Sequence, residues 1–366
     1  MIGDPDLGQV LAQALLAAGE VDRATHGFHT WPAGLHPDAA AALIAALPGA
    51  SVLDPFCGGG TVMVEARLAG RRAVGRDVSP IARMVATGRT ATPDEALLTR
   101  VRAAARRLAA EARTADRPPD EPIRSVVKEW YARHVACELE SIRTGILACE
   151  PDIRPYLWLC LSAILVKTSF RQADTSPKRV KHDRPAGTTA ILFHKKVREY
   201  GRKVADLRSR VPEGTPPADI GLGDARTISL REPVDLVLTS PPYPSTYDYL
   251  PMQHLRTVWL GLDEGFGEIG ARRYWRTGAD AARKRWVEDT AAWTARAAEL
   301  VRPGGHVVVV IGDGLAPTGT IDTSAPTSAA AAAAGLRIRA RASVERVDHA
   351  RETVRWEHCF VCERQV

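Results

Sequence analysis

The run Ser51-Val-Leu-Asp54-Pro-Phe56-Cys57-Gly58-Gly59-Gly60-Thr61 is followed by an apolar stretch from Val62 to Leu68 and then by Arg72-Ala-Val-Gly-Arg-Asp77-Val78-Ser79-Pro80. Strand, glycine turn, helix, strand and acidic end follow one another, the order of the opening half of a nucleotide-binding α/β unit. Three consecutive glycines let the backbone pass close to a ligand, and the helix that follows offers unpaired N–H groups to a carboxylate or another anion. Asp77 lies 17 residues beyond Gly60 at the end of the second strand, where a carboxylate can accept both hydroxyls of a ribose. The turn departs from the dinucleotide spacing GxGxxG, and it lacks the lysine that a phosphate loop needs after its last glycine. Thr61 and Val62 stand there instead, which argues against a nucleoside triphosphate.

A second stretch supplies candidate chemistry. Val234 to Leu238 is an apolar run that reads as a buried strand, and it delivers Thr239-Ser240-Pro241-Pro242-Tyr243 at its carboxyl end, where open α/β sheets hold their ligands. Two consecutive prolines keep the chain extended and bring no N–H of their own, so carbonyl acceptors stand beside a serine hydroxyl and a flat ring. Such a site suits a planar ring that carries an NH2 group. Asp235, five positions before Ser240, reads as a strand-edge residue and not as a catalyst.

The two motifs together resemble the amino-methyltransferases of DNA. DPFCGGGT followed at a distance by TSPPY is their pattern, and serine before the two prolines is most similar to the cytosine-N4 group. His29-Thr-Trp31-Pro32-Ala33 with His36-Pro37, Gly223-Asp224-Ala225-Arg226, and Arg302-Pro303-Gly304-Gly305 resemble three further elements of that family. The resemblance implies an α/β, Rossmann-like class I methyltransferase sheet and S-adenosylmethionine as cofactor. It places Trp31, Asp54, Phe56, Gly58, Gly60, Thr61, Asp77, Val78, Asp224 and Ala225 around that cofactor. It assigns Ser240, Pro241, Pro242 and Tyr243 to catalysis on an exocyclic amine, with Tyr243 stacking on an extruded base. DNA is then the expected partner ahead of RNA, in a methylation activity of the restriction-modification kind. The tRNA guanine-N2 methyltransferases share the fold and a related tetrad, usually with Asp or Asn in place of Ser240. A catalytically silent nucleic-acid-binding module and a small-molecule amine acceptor are the remaining readings.

The composition agrees with a cytoplasmic enzyme. The 366 residues carry a net charge of +6, no apolar run approaches the roughly 20 residues needed to cross a bilayer, and the start MIGDPDLGQV lacks the features of a secretory signal. Six cysteines fit reduced, buried thiols in so long a chain. Cys359 and Cys362 beside His358 have a metal-like spacing but no second pair to complete a zinc site, so no metal is expected.

Between about 93 and 212 the strand rhythm gives way to helical patterns over Ala96 to Ala115, Val126 to Ala148, Tyr156 to Ser169 and Thr188 to Arg210. The expected organisation is a cofactor-binding half over 1–92, a mainly helical basic insert over 93–212 and a catalytic half over 213–366. From Lys167 to Lys203 eleven Lys and Arg face three Asp and Glu, the charge footprint of a polyanion-binding segment. Within it, Arg171, Gln172, Lys178, Arg179 and Lys181 are the candidate substrate contacts, with Tyr247 as a candidate wall of the base pocket. In common layouts of the DNA family, target recognition follows the catalytic motif or falls just before it; here the insert separates the ribose-binding from the adenine-binding positions.

Overall fold

A computed structural model describes residues 2–32, 34–181, 183–317, 319–348 and 353–365; Ala33 of the early motif lies outside them. In chain order the elements are β1 (Ile2–Gly3), α1 (Pro5–Leu16), α2 (Pro37–Ala46), β2 (Ser51–Asp54), α3 (Thr61–Leu68), β3 (Arg72–Asp77) and α4 (Pro80–Thr90). A helical stretch follows: α5 (Glu95–Ala112), α6 (Ile123–Trp130), α7 (Arg133–Leu147), α8 (Arg154–Thr168), the hairpin β4 (Arg171–Ala173) and β5 (Ser176–Arg179), and α9 (Thr188–Arg210). The rest comprises β6 (Asp219–Leu222), β7 (Val234–Thr239), α10 (Tyr249–Met252), α11 (His254–Leu260), α12 (Arg272–Thr277), α13 (Ala279–Leu300), β8 (Val301–Gly312), β9 (Gly314–Ala316), β10 (Gly319–Ile321), α14 (Ser324–Ala333), β11 (Leu336–Asp348) and β12 (Thr353–Arg364).

Among the described residues eight strands form one sheet in the order β1-β11-β12-β8-β7-β2-β3-β6. The pairs from β6 to β8 are parallel, whereas β12 runs antiparallel to both β8 and β11. Strands β7 and β8 are apolar throughout their centres because both faces are covered, as parallel strands require. The chain winds outward from β2 to β6 and then returns to place β7 on the other side of β2. That reversal puts the carboxyl ends of β2 and β7 side by side, the switch point at which open sheets bind ligands.

Among the described residues three large apolar cores and one small one, of Ala24, Val64 and Leu207, hold the layers together. Leu43, Val62, Met63, Leu236, Val308 and Val361 belong to the core under α1, α2 and α3 on one face of the sheet. Val237, Val309, Phe360, Trp286 and Trp293 belong to the core under α13 and α14 on the other. Helices α5 to α9 share a third core that runs on into α4 through Ile81 and Val85 and into α11 through Leu255 and Trp259. In α9 the buried positions Phe193, Val197, Tyr200, Val204 and Leu207 recur every three or four residues, the stripe that a one-sided helix needs.

The single helix expected over Val126 to Ala148 is instead two. Tyr131 is extended, with φ −137° and ψ 147°, and its hydroxyl donates to the Leu165 carbonyl at 3.0 Å. Burying that ring against α8 takes precedence over helical continuity. The hairpin β4–β5, the short strand β6, helices α10 to α12 and the pair β9–β10 were not legible in the periodicity, each being too short to show one.

Candidate functional site

The cleft at the switch point is built from the glycine turn, the ends of β2, β3, β6 and β7, and the segment after the tetrad Ser240 to Tyr243. Trp31, Asp54, Phe56, Gly58, Thr61, Asp77, Val78, Asp224 and Ala225 all line it, and so do Ser240 and Pro242. Gly60 does not. It serves the cleft through conformation, closing the amino end of α3 at φ 80°, where a side chain would meet the Ala86 backbone at 2.9 Å.

The other two glycines explain why the turn carries no side chains. A Cβ on Gly58 would lie 2.6 Å from Trp31 Nε1, and one on Gly59 would lie 2.9 Å from Trp31 Cβ and 3.0 Å from Arg89 Nη1. The turn is fixed from behind by a buried network. Arg89 Nη1 donates to the Gly59 carbonyl at 2.6 Å and its Nη2 meets His26 Nδ1 at 2.9 Å, while His26 Nε2 and Arg23 both contact Glu65.

Among the described residues four carboxylates line the cleft, those of Asp54, Asp77, Asp224 and Glu268. Asp77 accepts the N–H of Gly58 and the N–H of Ser79, each at 2.9 Å, thereby tying the strand end to the turn. Burial nevertheless pushes its carboxyl up to about 6. Asp54 accepts from Thr239 Oγ1 at 2.7 Å and from the Phe56 N–H at 3.0 Å, so the ends of β2 and β7 are joined by a side-chain bond. Its carboxyl is pushed up to about 7, again by burial. Asp224 is held below the usual range by hydrogen bonds from Arg226, although its own burial acts the other way.

The segment from Tyr249 to Ile269 folds over the cleft, contributing Tyr249, Leu250, Glu268 and Ile269 to its lining. Glu268 is buried, accepts the backbone N–H groups of Tyr249 and Leu250, and is met by Arg273 Nη1 at 2.6 Å. Its carboxyl is raised by desolvation. Glu268 escaped sequence reading because it sits in a loop without a motif.

A second cavity opens beside the first and shares Gly34, Leu35 and Ser240 with it. Tyr243 lines this second cavity and not the first. Its ring lies over Gly312, where a Cβ would come within 2.6 Å of it, and its hydroxyl donates to Glu357 Oε1 at 2.7 Å. Ser240 Oγ lies 3.5 Å from that hydroxyl. Glu357 Oε2 in turn accepts from Arg346 Nε at 2.8 Å. Glu357 and Arg346 were not predicted, although a glutamate alternating with Cys359 and Val361 on one face of the last strand was a readable signal. Pro241 is buried and, like Tyr247, lines neither cavity; Tyr247 instead packs edge-on against Tyr249 at 5.5 Å.

Arg171 does a different job from the one expected of it. Its guanidinium donates to the carbonyls of Met252, Asp174 and Ser176, so it pins the hairpin β4–β5 to α10 and has no fork left to read a base edge. Gln172 Oε1 accepts from Ser176 Oγ at 3.1 Å within the same hairpin. Lys178, Arg179 and Lys181 are exposed, and Arg179 lies 5.1 Å over the Phe170 ring. Others of the basic run turn inward: Lys203 meets Asp22 and the His26 carbonyl, Lys196 pairs with Glu199, and Arg184 donates to the Lys167 carbonyl. Folding therefore leaves less free positive charge than the sequence count suggests.

The remaining candidates are structural. Asp235 sits at the opposite end of β7 and accepts from the N–H groups of Ala50 and Ser51 and from Ser51 Oγ. Buried His29 contacts Ser162 Oγ at 3.0 Å, and His36 caps α2. Cys359 and Cys362, three apart on β12, point into opposite cores, so the two thiols cannot share a metal ion.

A backbone cradle without side chains, a carboxylate at the end of β3 and an apolar wall of Trp31, Phe56 and Ile269 fit a nucleoside bearing an amino-acid tail. The fold is an α/β, Rossmann-like one with its cleft at the switch point of the sheet. Residues 28–120 match the family described as UPF0020: RMKL-like, methyltransferase domain, a stretch that holds the glycine turn and Asp77 but ends well before Ser240. No curated protein matches the chain by sequence.

Among solved structures, the chain is similar to TrmN from Thermus thermophilus at 14% identity and TM-score 0.33, covering 90% of this chain and 48% of that one. It thus spans about half the length of TrmN. The rRNA methyltransferase aviRa from Streptomyces viridochromogenes is 13% identical with TM-score 0.36, over 92% and 89% of the two chains. A class I S-adenosylmethionine-dependent methyltransferase from Listeria monocytogenes is 11% identical with TM-score 0.32, over 98% and 67%. Likeness at this distance carries no argument about substrate.

Proposed function

We propose that this protein methylates an exocyclic amino group of a nucleic-acid base, in RNA ahead of DNA. One observation carries the reading: Ser240 stands at the junction of two cavities, one lined by the glycine turn and Asp77, the other by Tyr243. An acceptor at that junction touches an amine in one cavity and faces the transferable group in the other.

Asp77 would hold the ribose hydroxyls, and the turn at 58–60 would pass the methionine portion. S-adenosylmethionine supplies an electrophilic methyl group on its sulfonium. The chain's own contribution starts with the amine, whose lone pair is delocalised into the ring and must be freed. Ser240, which lines both cavities, accepts an amine hydrogen at Oγ and draws the nitrogen toward tetrahedral geometry, while Pro241, expected to share that role, lines neither cavity. Tyr243 supports the plane of the base. The proton leaves after transfer, when the nitrogen is cationic and acidic, so no strong base is needed. Alignment of the reacting atoms can supply up to roughly 7–11 kcal/mol of the barrier reduction.

The preference for RNA, opposite to that implied by the resemblance, rests on how the chain after the tetrad is used. In the DNA family that region commonly reads the target. Here the described stretch 241–278 turns back over the cleft through Tyr249 and Glu268, so it is used to line the cleft. Within this reading the chain divides into a cofactor-binding half over 1–92, a basic helical insert over 93–212 that contacts phosphates through Lys178, Arg179 and Lys181, and a catalytic half over 213–366.

Incubation with radiolabelled S-adenosylmethionine and separate RNA and DNA pools, followed by nucleoside mass spectrometry, tests the proposal. Label in an N-methylated RNA base is expected. Label only in DNA would restore the cytosine-N4 reading, and label in neither pool would overturn base methylation altogether.

A further inference from the structure

Behind the glycine turn lies a cation that the methyl-transfer chemistry does not use. Arg89, in the last turn of α4, is 4% exposed, and its Nε has no partner among the described residues. Two hydrogen-bonded chains leave its Nη atoms. One runs away from the cleft: Nη2 meets His26 Nδ1 at 2.9 Å, and His26 Nε2 meets Glu65 Oε1 at 2.6 Å. The other runs into the turn. Nη1 donates to the Gly59 carbonyl at 2.6 Å, the Gly60 N–H of that same peptide donates to the Cys57 carbonyl at 2.7 Å, and the Gly58 N–H of the Cys57 peptide donates to Asp77 Oδ2 at 2.9 Å.

A guanidinium only donates. His26 Nδ1 is therefore the acceptor, and the imidazole proton sits on Nε2, toward Glu65, which fixes one neutral tautomer. Burial and the Arg89 charge both favour that neutral form. On the other branch every N–H points the same way, from cation to carboxylate, with two peptide units aligned head to tail between them. Hydrogen bonds in such a row polarise one another.

We infer that Arg89, held by His26, is a positioning residue for the cofactor: through the two peptides of the turn it keeps the Gly58 N–H on Asp77, and so keeps that carboxyl in the form that accepts ribose hydroxyls. This rests on the reading of the cleft as the S-adenosylmethionine site given above. His26 thus acts on Asp77 from the far side of the turn without touching the cofactor. A hydrogen bond to the ionised carboxylate favours ionisation. Slackening the row therefore raises Asp77 further, which costs affinity where the group is half ionised, near pH 6, and little where it is fully ionised.

Asp77 has as titratable neighbours Asp54 of β2, Cys57 of the turn and Tyr249 of α10. His26 faces Glu65 of α3, Arg89 of α4 and Arg23, with Lys203 of α9 on its carbonyl. No group around Asp77 is altered by a change at His26, so a changed pH dependence must travel along the row.

The test is calorimetry of S-adenosylmethionine binding by the full chain at pH 6 and pH 8, with folding checked by thermal melting. His26→Leu removes the acceptor for Arg89. It should weaken binding by about fivefold at pH 6 and by less than about twofold at pH 8, the pattern of an upward shift of about one pH unit at Asp77. His26→Asn, whose Oδ1 can accept from Arg89 in place of Nδ1, should bind as wild type does. In the Asp77→Asn background the row has no titrating carboxyl to act on, and His26→Leu should add no further loss. Arg89→Lys keeps the charge but not the planar fork that meets Gly59 and His26 together, and it carries the same comparison of pH values should His26→Leu melt too low to assay.

Equal losses at the two pH values, a further loss in the Asp77→Asn background, the same loss in His26→Asn as in His26→Leu, or unchanged binding throughout would each overturn the inference and leave the cofactor reading standing. Wild type that binds no S-adenosylmethionine at either pH would sink that reading, and the inference with it.

Discussion

At Asp77 the structure makes a demand that its sequence position alone does not reveal. Burial raises the carboxyl to about 6, against an ordinary value of 3.8, so the folded protein keeps a proton that the unfolded chain releases between those limits. The native state then binds more protons than the unfolded state, and this group's contribution to stability declines as pH rises through that window. In the proposed ribose role, cofactor binding would have the opposite slope, because ribose hydroxyls donate to the ionised form. Affinity for S-adenosylmethionine should therefore climb from pH 5 to above pH 6, with Asp54, raised to about 7, extending the rise. Hydrogen bonds to a charged group contribute about 1.5–3 kcal/mol each, so Asp77→Asn should weaken binding by roughly tenfold or more and flatten the lower part of the profile. Calorimetry at several pH values measures both effects; a wild-type affinity independent of pH would remove Asp77 from the ribose site.

Among the elements, the hairpin β4–β5 shows how a charge count differs from a charged surface. Arg171 fastens it to α10 through the Met252 carbonyl at 2.9 Å, so the hairpin lies behind the segment that covers the cleft. Its outward charges, Lys178 and Arg179, with Lys181 just beyond, are free to meet phosphates. Reversing all three to glutamate should weaken RNA binding at low salt and reduce the slope of log affinity against log salt by about 2, at roughly 0.7 per phosphate contact on a single strand. Affinity for S-adenosylmethionine should stay as it is. Filter binding across a salt series reads the slope, and an unaltered slope would make the hairpin a solvated face.

For the molecule as a whole, the joint between the helical layer and the tetrad side is a buried ion pair. Arg256 on α11 is 1% exposed and meets Asp174 of the hairpin turn, 7% exposed, while its Nε donates to the Ser162 carbonyl of α8 at 3.2 Å. Asp174→Ala would leave the buried guanidinium without its counter-charge, with only the neutral acceptors of the Ser162 carbonyl and Gln253 Oε1, a loss of about 3–5 kcal/mol, which thermal or denaturant unfolding would register as a much lower midpoint; an unchanged midpoint would mean that the pair does not carry the joint. What the sequence determined by itself was whatever short-range rules control. Left-handed glycines at 58 and 60, an aspartate closing β3, the one-sided stripe of α9 and the double proline after β7 are all decided within a few residues of chain, and so the α/β class and the cofactor side of the cleft were legible. The periodicity rule failed at Tyr131, where a buried ring contact outweighed helix propensity, and the charge rule failed at Arg171, whose partners lie on another element. Only the tertiary structure decided that Ser240 joins two cavities and that Glu357, 114 positions beyond Tyr243, stands against it. Strand order and register across a sheet set those distances, and they depend on cores that close only when the whole chain packs.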